Sequence, residues 1–279
     1  MSLLAVRGLT IAFPVAASWK PVVRGVSLAV ERGEIFGLVG ESGSGKTLTA
    51  LAILGLLPAN ARVTAGSIEL APARSGDATA AAAGVDLLTL GPRELRRVRG
   101  GRIGLVFQEP ATAMNPAYTL GFQIAEAVRA HRPMSRREAR DEAVRLLDLV
   151  ALPDARRRLD DYPHQLSGGQ RQRAMIAMAL AGGADLLLAD EPTTALDVTL
   201  QAQILELLET LRQELGFSVL LITHDLGVVA ETCDRVAVMH DGEIVESAGV
   251  ADLFRAPAHP YTRALLAAVP WLSVPVEAN

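Results

Sequence analysis

Gly40-Glu41-Ser42-Gly43-Ser44-Gly45-Lys46-Thr47 is the stretch on which the reading of this chain turns. It has the form G-x-x-x-x-G-K-[ST], a glycine-rich loop that cradles phosphate. Its flanks agree with that form. Ile35-Phe36-Gly37-Leu38-Val39 is a short apolar run that reads as a buried strand, and residues 48–57 read as a helix ended by Pro58. Strand, glycine loop and helix together present backbone N–H groups and a helix N-terminus to an anion. In such a loop Gly40, Glu41, Ser42, Gly43, Ser44 and Gly45 wrap the phosphates. Lys46 reaches the β- and γ-phosphates, and the Thr47 hydroxyl is placed for Mg²⁺. Lys20 and Lys46 are the only lysines among 27 basic residues. A chain that otherwise uses arginine keeps a lysine here because a compact ammonium fits between phosphates where a planar guanidinium does not.

Composition sets the outer limits. With 279 residues, half of them hydrophobic, the chain can bury a sizeable core in one large domain or two modest ones. No run reaches the ~20 apolar residues of a membrane span; residues 174–188 come nearest and are interrupted by Gly182, Gly183 and Asp185. The first residues lack the pattern of a signal peptide. The single cysteine, Cys233, excludes an internal disulfide and reads as a small core side chain. A net charge of −4 makes no case for nucleic acid as a partner.

Residues 3–13 and 22–30 alternate at near period two and predict an antiparallel β-layer ahead of the phosphate loop. Phe13 and Trp19 are expected in the loop between these strands. There either ring could stack on a purine, or Phe13 could pack in the core and Trp19 lie on the surface. Residues 66–70 read as another strand, and the Ala-rich stretch 71–84 as a surface loop. Residues 93–102 read as a helix and turn with a solvated basic face. Residues 102–107 form a second core strand, followed by Gln108-Glu109-Pro110. Gln108 stands at a strand's carboxyl end, where ligands bind in α/β sheets, and its amide could contact Mg²⁺ or an attacking water. Residues 121–130 and 135–150 are helical by period. Ser135 and Glu138 form a capping box, and the block 110–165 reads as an inserted helical subdomain.

Ser167 is a natural N-cap, and Gly168 and Gly169 expose the first-turn amides of a helix running to about residue 181. One chain thus carries two helix ends suited to phosphate, so one molecule need not complete a site. Residues 185–189 form a third core strand, ending in Asp190-Glu191. Asp190 is placed to hold Mg²⁺ and Glu191 to polarise the attacking water. Residues 217–222 form a fourth strand, ending at Thr223-His224. His224 can donate to the γ-phosphate or position the water. Arg235–His240 and residues 243–246 make a closing hairpin through Asp241-Gly242.

Taken together, these stretches resemble the ATPase subunit of an ABC transporter over essentially the whole chain. The family's Walker A motif matches residues 40–47, its Q-loop glutamine Gln108, and its LSGGQ signature Leu166-Ser167-Gly168-Gly169-Gln170. Its Walker B motif matches residues 186–190, with the catalytic carboxylate at Glu191. Its D-loop matches Ala195-Leu196-Asp197 and its switch histidine His224. His259-Pro260-Tyr261-Thr262-Arg263-Ala264-Leu265-Leu266 and Met114-Asn115-Pro116 resemble the oligopeptide/dipeptide/nickel importer branch. The cysteine cluster that some members carry beyond this tail has no counterpart here, so no such metal cluster is expected.

The resemblance implies an α/β P-loop NTPase core with an N-terminal antiparallel β-layer and an inserted helical subdomain. It implies one ATPase domain over residues 1–245 and an importer-type extension over 246–279. It also implies ATP and Mg²⁺ as ligands, with adenine stacked on an aromatic for which Phe13 stands. Two cassettes, identical or related, would sandwich ATP between Lys46 of one and Ser167, Gly168, Gly169 and Gln170 of the other, with Asp197 at the junction. Two membrane-spanning permease subunits and, indirectly, an extracytoplasmic binding protein would complete an importer. The cassette itself would sit peripherally on the cytoplasmic face of the inner membrane. A nickel importer subunit and a soluble non-transport ABC ATPase are the alternatives.

Overall fold

The structure, a computed structural model, describes residues 2–16, 18–73, 84–108, 113–194 and 196–268. The chain opens with two long antiparallel strands, β1 (Ser2–Val15) and β2 (Ser18–Glu31). Strand β3 (Ile35–Val39) then leads into the phosphate loop and helix α1 (Lys46–Ile53). Strands β4 (Arg62–Leu70) and β5 (Val85–Asp86) complete a four-stranded sheet of order β2-β1-β4-β5. Helix α2 (Pro92–Val98) and strand β6 (Ile103–Val106) follow. Next come α3 (Leu120–His131), α4 (Arg136–Leu149), α5 (Ala155–Arg158) and α6 (Gly168–Leu180). The core resumes with β7 (Leu186–Asp190), α7 (Val198–Leu215), β8 (Ser218–Thr223), α8 (Leu226–Thr232), β9 (Arg235–His240) and β10 (Glu243–Gly249). Helices α9 (Val250–Arg255) and α10 (Pro260–Ala267) close the described chain.

The second sheet has the order β10-β9-β3-β8-β7-β6, parallel except for the β10 edge. Its inner strands are apolar between their ends, because both faces are covered. Along β7, Leu187 and Ala189 face the core shared with α3, α4, α6 and α7, while Leu186 and Leu188 face the core shared with α1 and the antiparallel sheet. Along β8, Val219 and Leu221 take the first side and Leu220 and Ile222 the second. Each such leucine or isoleucine contributes about 1.5–3 kcal/mol by burial, which fixes strand register. That register is what builds the site. Val39 pairs with Thr223, Asp190 with Ile222, and Ala189 with Val106, so four strands end level at one edge.

Several boundaries differ from the sequence-based expectation. Phe13 and Trp19 lie in strands, not in a loop: the β1–β2 pairing continues through Phe13–Lys20 and Pro14–Trp19 almost to the turn. Helix α1 stops at Ile53, not Leu57. Gly55 adopts φ 62°, Gly55 N donates to Ala52 O and Leu56 N to Leu51 O, so a glycine cap ends the helix before Pro58. Strand β4 starts at Arg62 because its pairing with β1 extends past Gly66. The basic stretch 93–102 is not all solvated face. Arg99 donates to the carbonyls of Leu54 and Gly55, where α1 leaves orphan acceptors, and Arg102 pairs with Asp185 at 2.6 Å. The capping box of Ser135 and Glu138 is present as read. Cys233 is largely buried, packs against the core, and has its thiol pushed up to about 12 by burial and the nearby Asp234 and Glu34. Strand β10 runs through residue 245, where the domain boundary was drawn. Most of the 71–84 stretch, together with Glu109, Pro110, Ala195 and residues 269–279, lies outside the described residues.

Candidate functional site

The phosphate loop joins the end of β3 to the start of α1. Gly45 is the N-cap of α1 with φ 107°, a left-handed conformation, and no side chain caps the first-turn amides of α1. A Cβ at Gly45 would come within 2.8 Å of Met239 Cε and 3.0 Å of Val23 Cγ2, and one at Gly40 would collide with the Met239 carbonyl oxygen. The loop is therefore held closely against β2 and β9. Lys46 is buried, and its Nζ donates at 2.8 Å to the carbonyls of Gly40 and Glu41, the ammonium bridging the loop. Burial lowers the Lys46 pKa, while the charges of Glu191, Asp190 and Glu41 oppose that shift.

The level strand ends bring the remaining groups to the loop. Thr47 Oγ1 lies 3.3 Å from Asp190 Oδ1. Burial raises the Asp190 carboxyl pKa, offset by the Thr47 hydrogen bond and Lys46 and reinforced by Glu191. Glu191 extends the β7 ladder by one bond, its N–H donating to Ile222 O at 2.8 Å, and then turns with φ 47°. A left-handed non-glycine residue at a strand end is the kind of strain found at functional sites. Three donors converge on its carboxylate: Gln108 Nε2 at 3.0 Å and Thr194 Oγ1 at 2.9 Å from Oε2, and His224 Nδ1 at 3.1 Å from Oε1. A carboxylate only accepts, so the Nδ1 proton is on the imidazole. Burial pushes the Glu191 pKa up, but the His224 and Thr194 hydrogen bonds and the charges of His224 and Lys46 outweigh it and leave it below the ordinary value.

Gly40, Lys46, Thr47, Gln108, Glu191 and His224 line one open cleft of about 680 Å³, within the range of small-molecule sites. Glu41, Ser42, Gly43 and Gly45 line it as well. Sequence reasoning missed three of its walls, Leu48, Thr194 and Leu265; Leu48 reads only as part of the helix after the loop. Thr194 has a signal in the sequence, since a hydroxyl three residues after a strand-end acid can fold back onto it. Leu265 belongs to the tail stretch read only as a mark of the importer branch.

The signature residues are elsewhere. Ser167 caps α6, with its Oγ accepting from Gln170 N and Gln170 Oε1 accepting from Ser167 N, a reciprocal capping box. Ser167, Gly169 and Gln170 line a separate cleft with Arg173 and Leu200, and that cleft shares no residue with the first. Asp197 falls on this side too. It caps α7 by accepting from Leu200 N at 2.9 Å, and Leu200 approaches Gly169. Phe13 is half-buried opposite Lys20 and is not among the residues lining the phosphate-loop cleft. Trp19 is 40% exposed, with the Arg62 guanidinium 3.7 Å above its ring.

An α/β core with its glycine loop at the end of a central strand defines a P-loop nucleotide-binding fold of the cassette type. The ABC transporter family pattern matches residues 23–194, and the pattern of the oligopeptide/dipeptide transporter C-terminal region matches residues 245–277. The chain belongs to the ABC transporter family and is an ATPase of it. It is 53% identical over 268 residues to a probable peptide ABC transporter ATP-binding protein of Sinorhizobium fredii, spanning 96% of this chain and 77% of that protein. It is 51% identical over 267 residues to a glutathione import ATP-binding protein of Pectobacterium atrosepticum, spanning 96% of this chain and 42% of that protein. Among solved structures, a dimeric bacterial ABC transporter cassette matches with a TM-score of 0.74 and 29% identity, over 88% of this chain and 98% of that one. A dimeric post-hydrolysis cassette bound to ADP and Pi matches with the same score, the same coverage and 28% identity.

Proposed function

We propose that this chain hydrolyses ATP to power the import of dipeptides or oligopeptides through separate membrane-spanning subunits. The observation that carries the hydrolytic half is the convergence of Gln108, Thr194 and His224 on Glu191 beside the Lys46 loop. Those three donors hold the carboxylate as an ionised acceptor facing the cleft, ready to take a hydrogen bond from the attacking water. Lys46 and the loop amides bind the β- and γ-phosphates. Thr47 and Asp190 fit Mg²⁺, since a hydroxyl and a carboxylate oxygen 3.3 Å apart are the hard donors that ion takes. Bound there, Mg²⁺ would neutralise phosphate charge. His224 donates toward the γ-phosphate when it leaves Glu191. Trp19 has Arg62 over its ring, so Phe13 is the hairpin aromatic left for adenine. Its partner Lys20 is two residues from Val22, whose strand lies against Gly45.

The two separate clefts support a composite site: the Ser167–Gln170 end of one cassette would close over the ATP held by the other. The second cassette is an identical or a related chain. Among the described residues no helix is long and apolar enough to cross a membrane, and we assign the crossing to two separate permease subunits. An extracytoplasmic binding protein would deliver the peptide, with this chain at the cytoplasmic face. The peptide reading rests on the tail pattern at 245–277. Uptake of a labelled dipeptide and of labelled nickel, with and without Lys46→Ala, tests it. Loss of dipeptide uptake alone supports the proposal, whereas loss of nickel uptake alone replaces the substrate class.

A further inference from the structure

The carboxy-terminal segment is built into the ATP cleft. The Tyr261 hydroxyl, at the start of α10, accepts from the Glu41 N–H of the phosphate loop at 3.4 Å. The Tyr261 ring stacks on His240 at the end of β9, with centroids 3.9 Å apart and planes 23° from parallel. One turn further on, Leu265 lines the cleft itself. Tyr261, Leu265 and Leu266 pack against a small core containing Val39, the last residue of β3 before the loop.

The segment is anchored so that it can press on the loop. Glu246 of β10 accepts from the N–H groups of Ala258 and His259 at 2.7 and 2.9 Å. His259 Nδ1 caps α10 by accepting from Tyr261 N at 3.2 Å. The turn between β9 and β10 holds the loop as well, because Gly242 N donates to Ser44 O at 3.1 Å. The first limb of the loop is thus tied to α10 and the later part to the β9–β10 turn, and both ties trace to the strand pair that also carries His240.

We propose that Tyr261 is a positioning residue for ATP binding, and that α10 is a working wall of the ATP cleft. Tyr261, backed by His240, holds the Glu41 peptide so that the loop amides are already ordered when phosphate arrives. A loop ordered in advance loses less conformational freedom on binding, and affinity rises accordingly. The inference rests on the reading of Gly40–Thr47 as the ATP site.

The test uses the full chain, an N-methylanthraniloyl-ADP fluorescence titration, the KM and kcat of ATP hydrolysis, and thermal unfolding. Tyr261→Phe keeps the ring stack and removes the hydroxyl; Tyr261→Leu removes both. The geometry at 3.4 Å is that of a long, weak hydrogen bond, so Tyr261→Phe is expected to weaken nucleotide binding and raise KM roughly two- to five-fold, with kcat falling less than KM rises. Tyr261→Leu is expected to do more. If Tyr261→Phe binds nucleotide and hydrolyses ATP as the wild type does, while Tyr261→Leu lowers only the unfolding temperature, Tyr261 is a packing residue and the proposal is overturned. Lys46→Ala separates the two readings. Nucleotide binding in the wild type that survives Lys46→Ala overturns the ATP site and the brace with it. Binding lost in Lys46→Ala but unchanged in Tyr261→Phe overturns the brace alone.

Discussion

Replacing Glu191 by Gln isolates its role in hydrolysis from its role in structure. The side chain keeps its volume, and the geometry says which contacts survive. Gln108 and Thr194 both donate to Oε2, whereas His224 Nδ1 approaches Oε1. An amide oxygen at the Oε2 position keeps the first two donors. The amide NH₂ then faces His224 Nδ1, and the imidazole accepts by moving its proton to Nε2. One tautomer change preserves the network, so the fold and the cleft should persist. Removing a negative charge beside the phosphates should leave ATP bound at least as tightly.

What is lost is the carboxylate that accepts from water. General-base assistance contributes about 10²–10⁴ in rate, or about 2.7–5.5 kcal/mol at 1.36 kcal/mol per decade. The Glu191 pKa is held below its ordinary value, so the carboxylate is ionised and able to accept at neutral pH. The assay is single-turnover phosphate release from the assembled complex, beside nucleotide binding to the same preparation. Turnover within tenfold of wild type, with nucleotide still bound, would falsify the assignment of Glu191 as the water-activating group.

Three further expectations follow from the same geometry. Gly45→Ala forces a left-handed φ of 107° on alanine and drives its Cβ to within 2.8 Å of Met239 Cε; stability should fall by about 1–3 kcal/mol and nucleotide binding should weaken, read by thermal unfolding and titration. Burial raises the Asp190 pKa, and a cation binds the ionised form, so Mn²⁺ affinity measured by electron paramagnetic resonance should decline on acidification from a higher pH than an ordinary aspartate would give; affinity flat down to the ordinary aspartate range would contradict this. The Glu142 pKa is lowered to about 2, held by the Arg145 hydrogen bond against burial and helped by Arg132. A depressed carboxyl stabilises the fold above its unfolded value of 4.5, and that contribution is lost as pH falls from 4.5 toward 2. The full shift would be worth about 3 kcal/mol, but Arg145 is 55% and Arg132 37% exposed, which reduces it to about 1 kcal/mol. Denaturant unfolding should show Glu142→Gln about that much less stable than wild type at pH 6, with the gap closing by pH 2.

The parts of the site legible in the sequence are those set by local chemistry. A glycine loop after an apolar strand, an acid pair after another and a histidine after a third each declare themselves within a few residues, and level register brings them together. The capping box of Ser135 and the N-cap of Ser167 are legible for the same reason. What was not legible depends on distant partners. The β1–β2 hairpin extends past Phe13 to Pro14 and Trp19 because cross-strand pairing holds residues that carry no strand pattern of their own. Arg99 reads as surface charge in the sequence because its acceptors lie at the end of α1, and the role of Tyr261 depends on Glu41, 220 positions away.

The two clefts of one chain are also mechanically joined. Helix α6 begins at the signature residues, and one turn in, Gln172 is fully buried with its amide donating to Pro192 O, the carbonyl next to Glu191. Gln172 and Pro192 therefore connect the end that would close over a partner's ATP to the peptide that follows the Glu191 turn. Burying an amide without a partner costs about 1–3 kcal/mol, so α6 and the 192–194 loop move together in preference to breaking that bond. The Thr194 hydroxyl on Glu191 lies on the same short loop. In the proposed composite site, a partner cassette pressing on Ser167–Gln170 would act on Glu191 through this buried hydrogen bond and the short loop that carries Thr194. By the same route, the state of one ATP site in that dimer would bias the geometry of the other.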